Sequence, residues 1–201
     1  MSFPKAPGPA AAAAAHGSLD HSGLGSLNGL TLSSTALDNQ ALLGSVSLCI
    51  LAVDSGLTGG VAFYFPAHGA ISAEDMPVAG GAVDAATLTA RIRLHLPDLA
   101  IVELAASRPG QGVASTFKFG CAYGVTLGVI TACGVPLHLV SPSKWKRHFA
   151  LDADKEKARA LALRLWPSRS ELFGKKKDHG KAEAALLARY AYERIVNGGG
   201  Q

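Results

Sequence analysis

The sequence predicts an α/β fold in which a central mixed sheet is flanked by helices. Three observations lead there. Two runs, "SVSLCILAVD" and "LAIVELA", have the continuous apolar character of strands buried on both faces. Stretches of helical period follow each of them. The elements arrive in an order that alternates strands with helices, the pattern of a layered sheet.

The first strand ends at Asp54, "SGLTGG" turns the chain, and "VAFYF" returns as a hairpin partner. "VDAATLTARIRLHL" reads as a helix with Asp84 near its start. The second buried strand, residues 99–105, carries Glu103 inside it. After the loop "RPGQGV", the segment "STFKFGCAYGVTLGVITACG" is long and apolar. Its uncharged part, Phe119 to Val135, is short for a membrane span and rich in Gly and Thr, so a buried helix is expected. "VPLHLV" gives a third strand, and "SPSKWKRHFAL" a basic loop or turn. "DKEKARALALRLW" is an amphipathic helix stopped by Pro167, and "KKKDHGKAEAALLARYAYE" supplies the last helix.

The length suits one domain with a real core. Residues 1–46 are low-complexity Ala, Gly, Ser and Pro with no periodicity to bury, and read as a flexible extension. The domain is expected at 47–197, with a short tail at 198–201. The extension has neither the apolar centre of a secretory signal nor the arginines of a mitochondrial presequence, and it carries Asp20 and Asp38. A cytoplasmic setting, in a bacterial or phage-infected cell, is the expectation. Cys49, Cys121 and Cys133 lie in apolar runs and read as small buried thiols. Charge is uneven: residues 1–143 sum to −3 and residues 144–201 to +7, within the overall +4. A basic C-terminal quarter suits a polyanion partner, or a solvated helix surface.

Four acids stand in apolar places. Asp54 ends a buried strand and Glu103 sits within another. Glu183 shares a helix face with Leu186, Leu187 and Tyr190, at spacings of three, four and seven. Asp178 lies just before that helix, where it could also serve as an ordinary cap. Converging acids repel one another unless a cation neutralises them. Carboxylates without Cys or His clusters suit Mg²⁺ or Mn²⁺ over Zn²⁺. Two such ions form a device for in-line phosphodiester hydrolysis.

"ILAVDSGLTGGVAFY", "IVELAASRPGQGVASTFKFGCAYGVTLGVI", "VPLHLVSPSKWKRHFAL" and "KKKDHGKAEAALLARYAYE" together resemble RuvC-type Holliday junction resolvases over roughly residues 47 to 194, most closely the phage-borne and chloroplast forms. The resemblance implies a ribonuclease H-like fold, a homodimer, and paired Mg²⁺-dependent incisions in a four-way DNA junction during recombination and repair. It implies Asp54, Glu103, Asp178 and Glu183 as catalytic and metal-holding residues, with two ions per site. His179 is the alternative fourth member, because bacterial RuvC spaces its last two metal-site residues by three and Gly180 stands there in this chain. A ribonuclease H-like nuclease for another substrate, or a junction binder without cleavage, are the other readings. "VDSGLTGGVA" also resembles the phosphate loop of the actin and sugar-kinase superfamily, but that fold needs two such domains.

For contact with DNA the expected residues are Arg108, Gln111 and Lys118 around the loop after Glu103, then Lys144, Lys146 and Arg147 around Trp145. Lys175, Lys176, Lys177 and Lys181 near the last acids complete the set. Lys and Arg contacts to phosphate supply affinity and position. Trp145 reads more readily as core than as a stacking platform. Gly120, Gly124 and Gly128 leave a bare stripe that fits either close packing on the sheet or a helix meeting its symmetry mate.

Overall fold

A computed structural model of the chain describes residues 47–104, 110 and 112–198. The expected extension at 1–46, Arg108, Gln111 and residues 199–201 of the tail lie outside them.

β1 (Ile50–Asp54), β2 (Gly60–Phe65) and β3 (Ala70–Asp75) form an antiparallel meander. A small ribbon, β4 (Val78–Ala79) and β5 (Ala82–Val83), leads into α1 (Ala85–His95). The Asp84 side chain caps α1, accepting from the Ala86 and Thr87 N–H groups. β6 (Leu99–Glu103) runs parallel to β1, α2 (Val113–Ala132) crosses over, and β7 (Leu137–Val140) runs parallel to β6. α3 (Pro142–His148), α4 (Lys155–Leu165) and α5 (His179–Ala191) complete the order. The main sheet reads β3-β2-β1-β6-β7. An antiparallel hairpin layer joined through its first strand to two parallel strands is the ribonuclease H-like arrangement.

Strand alternation divides the core into two layers. Ile50, Ala52 and Ile101 face α5 and α4, whereas Leu51, Val53, Ala100 and Val102 face α1 and α2. α5 is buried nearly all round, from Gly180 and Ala182 through Leu187 to Ala191. Its run of alanines keeps the helix thin where it lies on the sheet and under α4. Burying Leu186 and Leu187 contributes about 1.5–3 kcal/mol each.

Three expectations change. "SPSKWKRHFAL" is not a loop: Pro142 starts a short helix, and Trp145 enters the core on its inner side. α2, although long and apolar enough to cross a membrane, is not a buried helix. It packs on the sheet through Ala122, Thr126 and Ile130 and leaves Val113, Phe117 and Val125 exposed. Cys49 is buried, but Cys121 is exposed on α2 and Cys133 only half-buried, all three as free thiols.

One contact sets the height of α5 over the sheet. A Cβ added to Gly60 would lie 2.7 Å from the Gly180 backbone, and one added to Gly180 would lie 2.6 Å from the carbonyl carbon of Gly59. Here backbone rests on backbone, and neither side can give way cheaply. Gly→Ala inside a helix ordinarily gains about 1 kcal/mol. Gly180→Ala is expected to do the opposite, costing about 1–3 kcal/mol through overpacking. Thermal denaturation checks this, and an unchanged or raised Tm would refute the interlock.

Candidate active site

Asp54 and Glu103 are the last residues of neighbouring parallel strands, and the register pairs Val53 with Val102 just before them. Both continue the alternation that points Ile50, Ala52 and Ile101 towards α5. The two carboxylates therefore emerge side by side on one face, at one end of the sheet. Gly60 is the β2 partner of Asp54, and Gly180 rests against Gly60. Glu183 follows Gly180 by three residues, close to one helical turn and about 4.5 Å along the axis. The glycine contact thus brings Glu183 to the same end of the sheet.

α3 meets these acids from the side. The Trp145 indole Nε1–H donates to Glu103 Oε2 at 2.7 Å, and Lys146 Nζ lies 2.8 Å from Glu183 Oε1. The Lys146 ammonium also sits 5.2 Å from the Trp145 ring centroid. The far end of α3 is tied down as well. His148 Nε2 lies 2.7 Å from Glu193 Oε2 in the π-helical turn after α5, and Arg189 joins Glu193 to the Tyr64 hydroxyl.

The three acids act on one another electrostatically. Burial, then the charges of Glu183 and Glu103, push the Asp54 carboxyl up to about 7, against partial relief from Lys155 at the start of α4 and the Gly56 backbone N–H. Among the described residues, no three His, Cys, Asp or Glu side chains already form a metal-binding cluster. Glu183 and Glu103 instead hold protein donors. The donor set nonetheless fits a hard divalent cation: carboxylates only, crowded enough that Asp54 resists ionisation.

Asp178 departs from the expectation that it shares this site. It is 1% exposed, but its Oδ2 accepts from the Lys175 N–H at 2.7 Å and its Oδ1 pairs with Lys181 Nζ at 2.9 Å. Burial pushes its carboxyl up, but Lys181 and the Lys175 N–H outweigh this and hold it below the usual range. The charges acting on Asp54 are those of Glu183, Glu103 and Lys155. The physical reason is local: Asp178 closes the tight turn entering α5, where the Lys175 N–H holds Oδ2 and the Lys181 ammonium faces Oδ1, which has no well-aligned hydrogen-bond donor among the described residues. His179 lies 3.3 Å from the Lys176 carbonyl, and its charge is felt by Glu156 on α4.

The basic residues separate into two groups. Lys118, Lys144, Arg147, Lys175, Lys176 and Lys177 are exposed, as a phosphate-binding surface requires. Lys181 and Lys146 are not free for that task, because Asp178 and Glu183 engage them. Lys181 also reaches to 3.9 Å from Asp75 at the end of β3. Two participants were absent from the expected site. Lys155 reads in sequence as one more charge on an amphipathic helix, and no local signal distinguishes it. Trp145 did carry a signal: a buried indole N–H needs an acceptor, and Glu103 in an apolar strand needs a donor.

The raised Asp54 carboxyl has a consequence for stability. An acid whose folded-state pKa exceeds its unfolded one stabilises fully below the unfolded value, near 3.8, and that contribution is lost as pH rises through about 7. Above that, the ionised, crowded Asp54 costs on the order of 4 kcal/mol when no cation is bound. Asp54→Asn is expected to raise the Tm of the EDTA-treated protein at pH 8, and by clearly less at pH 5. Equal shifts at the two pH values in thermal denaturation would contradict the crowding.

No protein-family model matches the chain. In sequence it is 32% identical over 92 residues to a Chlamydomonas reinhardtii protein described as "Holliday junction resolvase MOC1, chloroplastic", a match covering 45% of this chain. The match spans about a tenth of that relative's length, 10%. Among solved structures it is similar to Thermus thermophilus RuvC in complex with a Holliday junction substrate, with 15% identity and a TM-score of 0.49 over 74% of this chain and 96% of that one. It is also similar to the yeast mitochondrial Holliday junction resolvase Ydc2, with 14% identity and a TM-score of 0.46 over 83% of this chain and 93% of that one. What the chain resembles is, by name, a Holliday junction resolvase in the first and third of these and RuvC bound to a Holliday junction in the second.

Proposed function

We propose that the protein is a divalent-metal-dependent, structure-selective endonuclease of RuvC type that hydrolyses phosphodiester bonds in four-way DNA junctions. The observation that carries this reading is the convergence of Asp54, Glu103 and Glu183 from β1, β6 and α5, where burial first, then the charges of Glu183 and Glu103, push Asp54 up to about 7. The sequence match to a named junction resolvase gives the substrate class.

Asp54, Glu103 and Glu183 would hold Mg²⁺ or Mn²⁺, in one or two ions. Such ions activate water and neutralise the charge developing on the leaving oxygen. The chain's own residues do the rest. Trp145 and Lys146 hold Glu103 and Glu183 in place. Lys155 contributes positive charge beside Asp54. The exposed Lys175, Lys176 and Lys177 stand at the entry to α5, where they draw the phosphate backbone in, and Lys144 and Arg147 extend that surface along α3. Asp178 supports this apparatus as a turn-closing acid.

Two matched cuts across a junction call for two sites related by symmetry, and α2 offers the surface. Gly120, Gly124 and Gly128 lie on the side of α2 away from Ala122, Thr126 and Ile130, and a Cβ on any of the three meets nothing within 4 Å among the described residues. Among the described residues, the stripe serves no packing within the subunit. Beside it, Phe117 is 71% exposed. Close approach of a second copy of α2 would cover both.

The decisive assay incubates the protein and Mg²⁺ with a labelled four-way junction, a linear duplex and an RNA–DNA hybrid in parallel. Preferential junction cleavage is expected, abolished by EDTA and by Asp54→Asn, Glu103→Gln or Glu183→Gln without loss of junction binding. Asp178→Asn is expected to lower the Tm more than the rate. Preference for the hybrid would transfer the reading to another ribonuclease H-like activity, and binding without cutting would make the protein a junction binder. For the assembly, light scattering should give a dimer for the wild type and a monomer of unchanged circular dichroism for Gly124→Leu. A monomeric, junction-cleaving wild type would refute the dimer.

A further inference from the structure

The carboxylate of Glu103 sits at the end of a strand, where its backbone is fixed but its side chain has three rotatable bonds. One group that fixes the carboxylate lies across the sheet edge, on α3. The Trp145 indole is 1% exposed, and its Nε1–H reaches Glu103 Oε2 at 2.7 Å. An indole N–H can only donate, so Glu103 Oε2 is the acceptor and the contact has no reversed form. The ring is large, rigid and wedged into the core layer with Val140 and the α5 residues, so the donor position has little freedom. The next residue, Lys146, turns the other way to reach Glu183, and His148 pins the end of the same helix to Glu193. One short helix thus delivers consecutive side chains to two different acids.

We propose that Trp145 is a positioning residue for Glu103: its indole N–H sets the rotation of that carboxylate and so prepares it to hold a divalent cation. This rests on the metal-dependent nuclease reading above. Removing the N–H alone, by Trp145→Phe, leaves an aromatic ring in the core but takes this donor from Oε2 of the carboxylate. Partners that orient metal-binding groups in this way are worth roughly 10–100-fold in metal affinity.

The chain contains two tryptophans, so a ¹⁵N-labelled sample has two indole N–H signals. Trp166 Nε1–H donates to the Gly69 carbonyl at 3.1 Å and provides an internal reference away from the acids. Titrating Mg²⁺ alone into the wild type should shift the Trp145 signal and leave the Trp166 signal in place, and Glu103→Gln should move the same signal without metal. In junction cleavage, Trp145→Phe should raise the Mg²⁺ concentration for half-maximal rate about tenfold or more, with KM for the junction unchanged. A cleaving wild type whose Trp145 signal ignores both Mg²⁺ and Glu103→Gln would overturn the inference and leave the nuclease reading standing. So would a folded Trp145→Phe protein with the wild-type Mg²⁺ requirement. A wild type that neither cleaves nor responds to Mg²⁺ would overturn the nuclease reading and this inference with it. Should Trp145→Phe fail to fold, the wild-type and Glu103→Gln signals decide alone.

Discussion

The seating of α5 on the hairpin turn is the constraint on which the site depends. Gly59 and Gly60 end the turn after β1, and Gly180 opens α5; with no side chain on either side, peptide planes pack directly. Gly60 also pairs with Asp54, so the contact is indexed to the end of the sheet that carries the acids. Any side chain inserted there would raise the start of α5, and Glu183 sits one turn along. The alanines that follow extend the same economy of volume, allowing the helix to lie flat on β1 and β2 and still accept α4 on its outer side. Close packing here is the means by which three distant stretches of chain register their acids against one another.

That registration has an energetic penalty. Gathering Asp54, Glu103 and Glu183 in a partly dry place raises Asp54 well above its ordinary value, and the protein answers with Lys146, Lys155 and the Trp145 indole. None of these removes the crowding. A structure that only needed stability would replace the acids with apolar residues, since buried ionic clusters seldom outperform good packing. Retaining them fits a site built to be completed by a cation, a local conflict of the sort that marks function.

Much of this was legible in the sequence where the signal was periodic. The buried strands at 50–54 and 99–103 and the helices capped by Asp84 and stopped before Pro167 follow from apolar runs and punctuation alone. Asp54, Glu103 and Glu183 stood out because an acid in an apolar setting demands an explanation. Asp178 stood out for the same reason and proved to have a local one, because a turn before a helix offers a backbone N–H and a lysine within reach. The α3 helix escaped notice since seven residues are too few to show a period, and a proline at its start reads equally well as a loop. The exposure of α2 was hidden by composition: apolar content says that a face will be covered, not whether the same subunit covers it.

The near-complete burial of α5 also bears on how the protein is made. Every strand of the sheet precedes α5 in the chain, so during synthesis the layer formed by Ile50, Ala52, Ala62 and Ile101 stays bare until residues beyond 190 have emerged. Before then a nascent chain offers an apolar sheet face and unshielded edges, the form most prone to misassociation. It also has no third acid. The covering of the sheet face and the gathering of the three acids therefore arise in one late step.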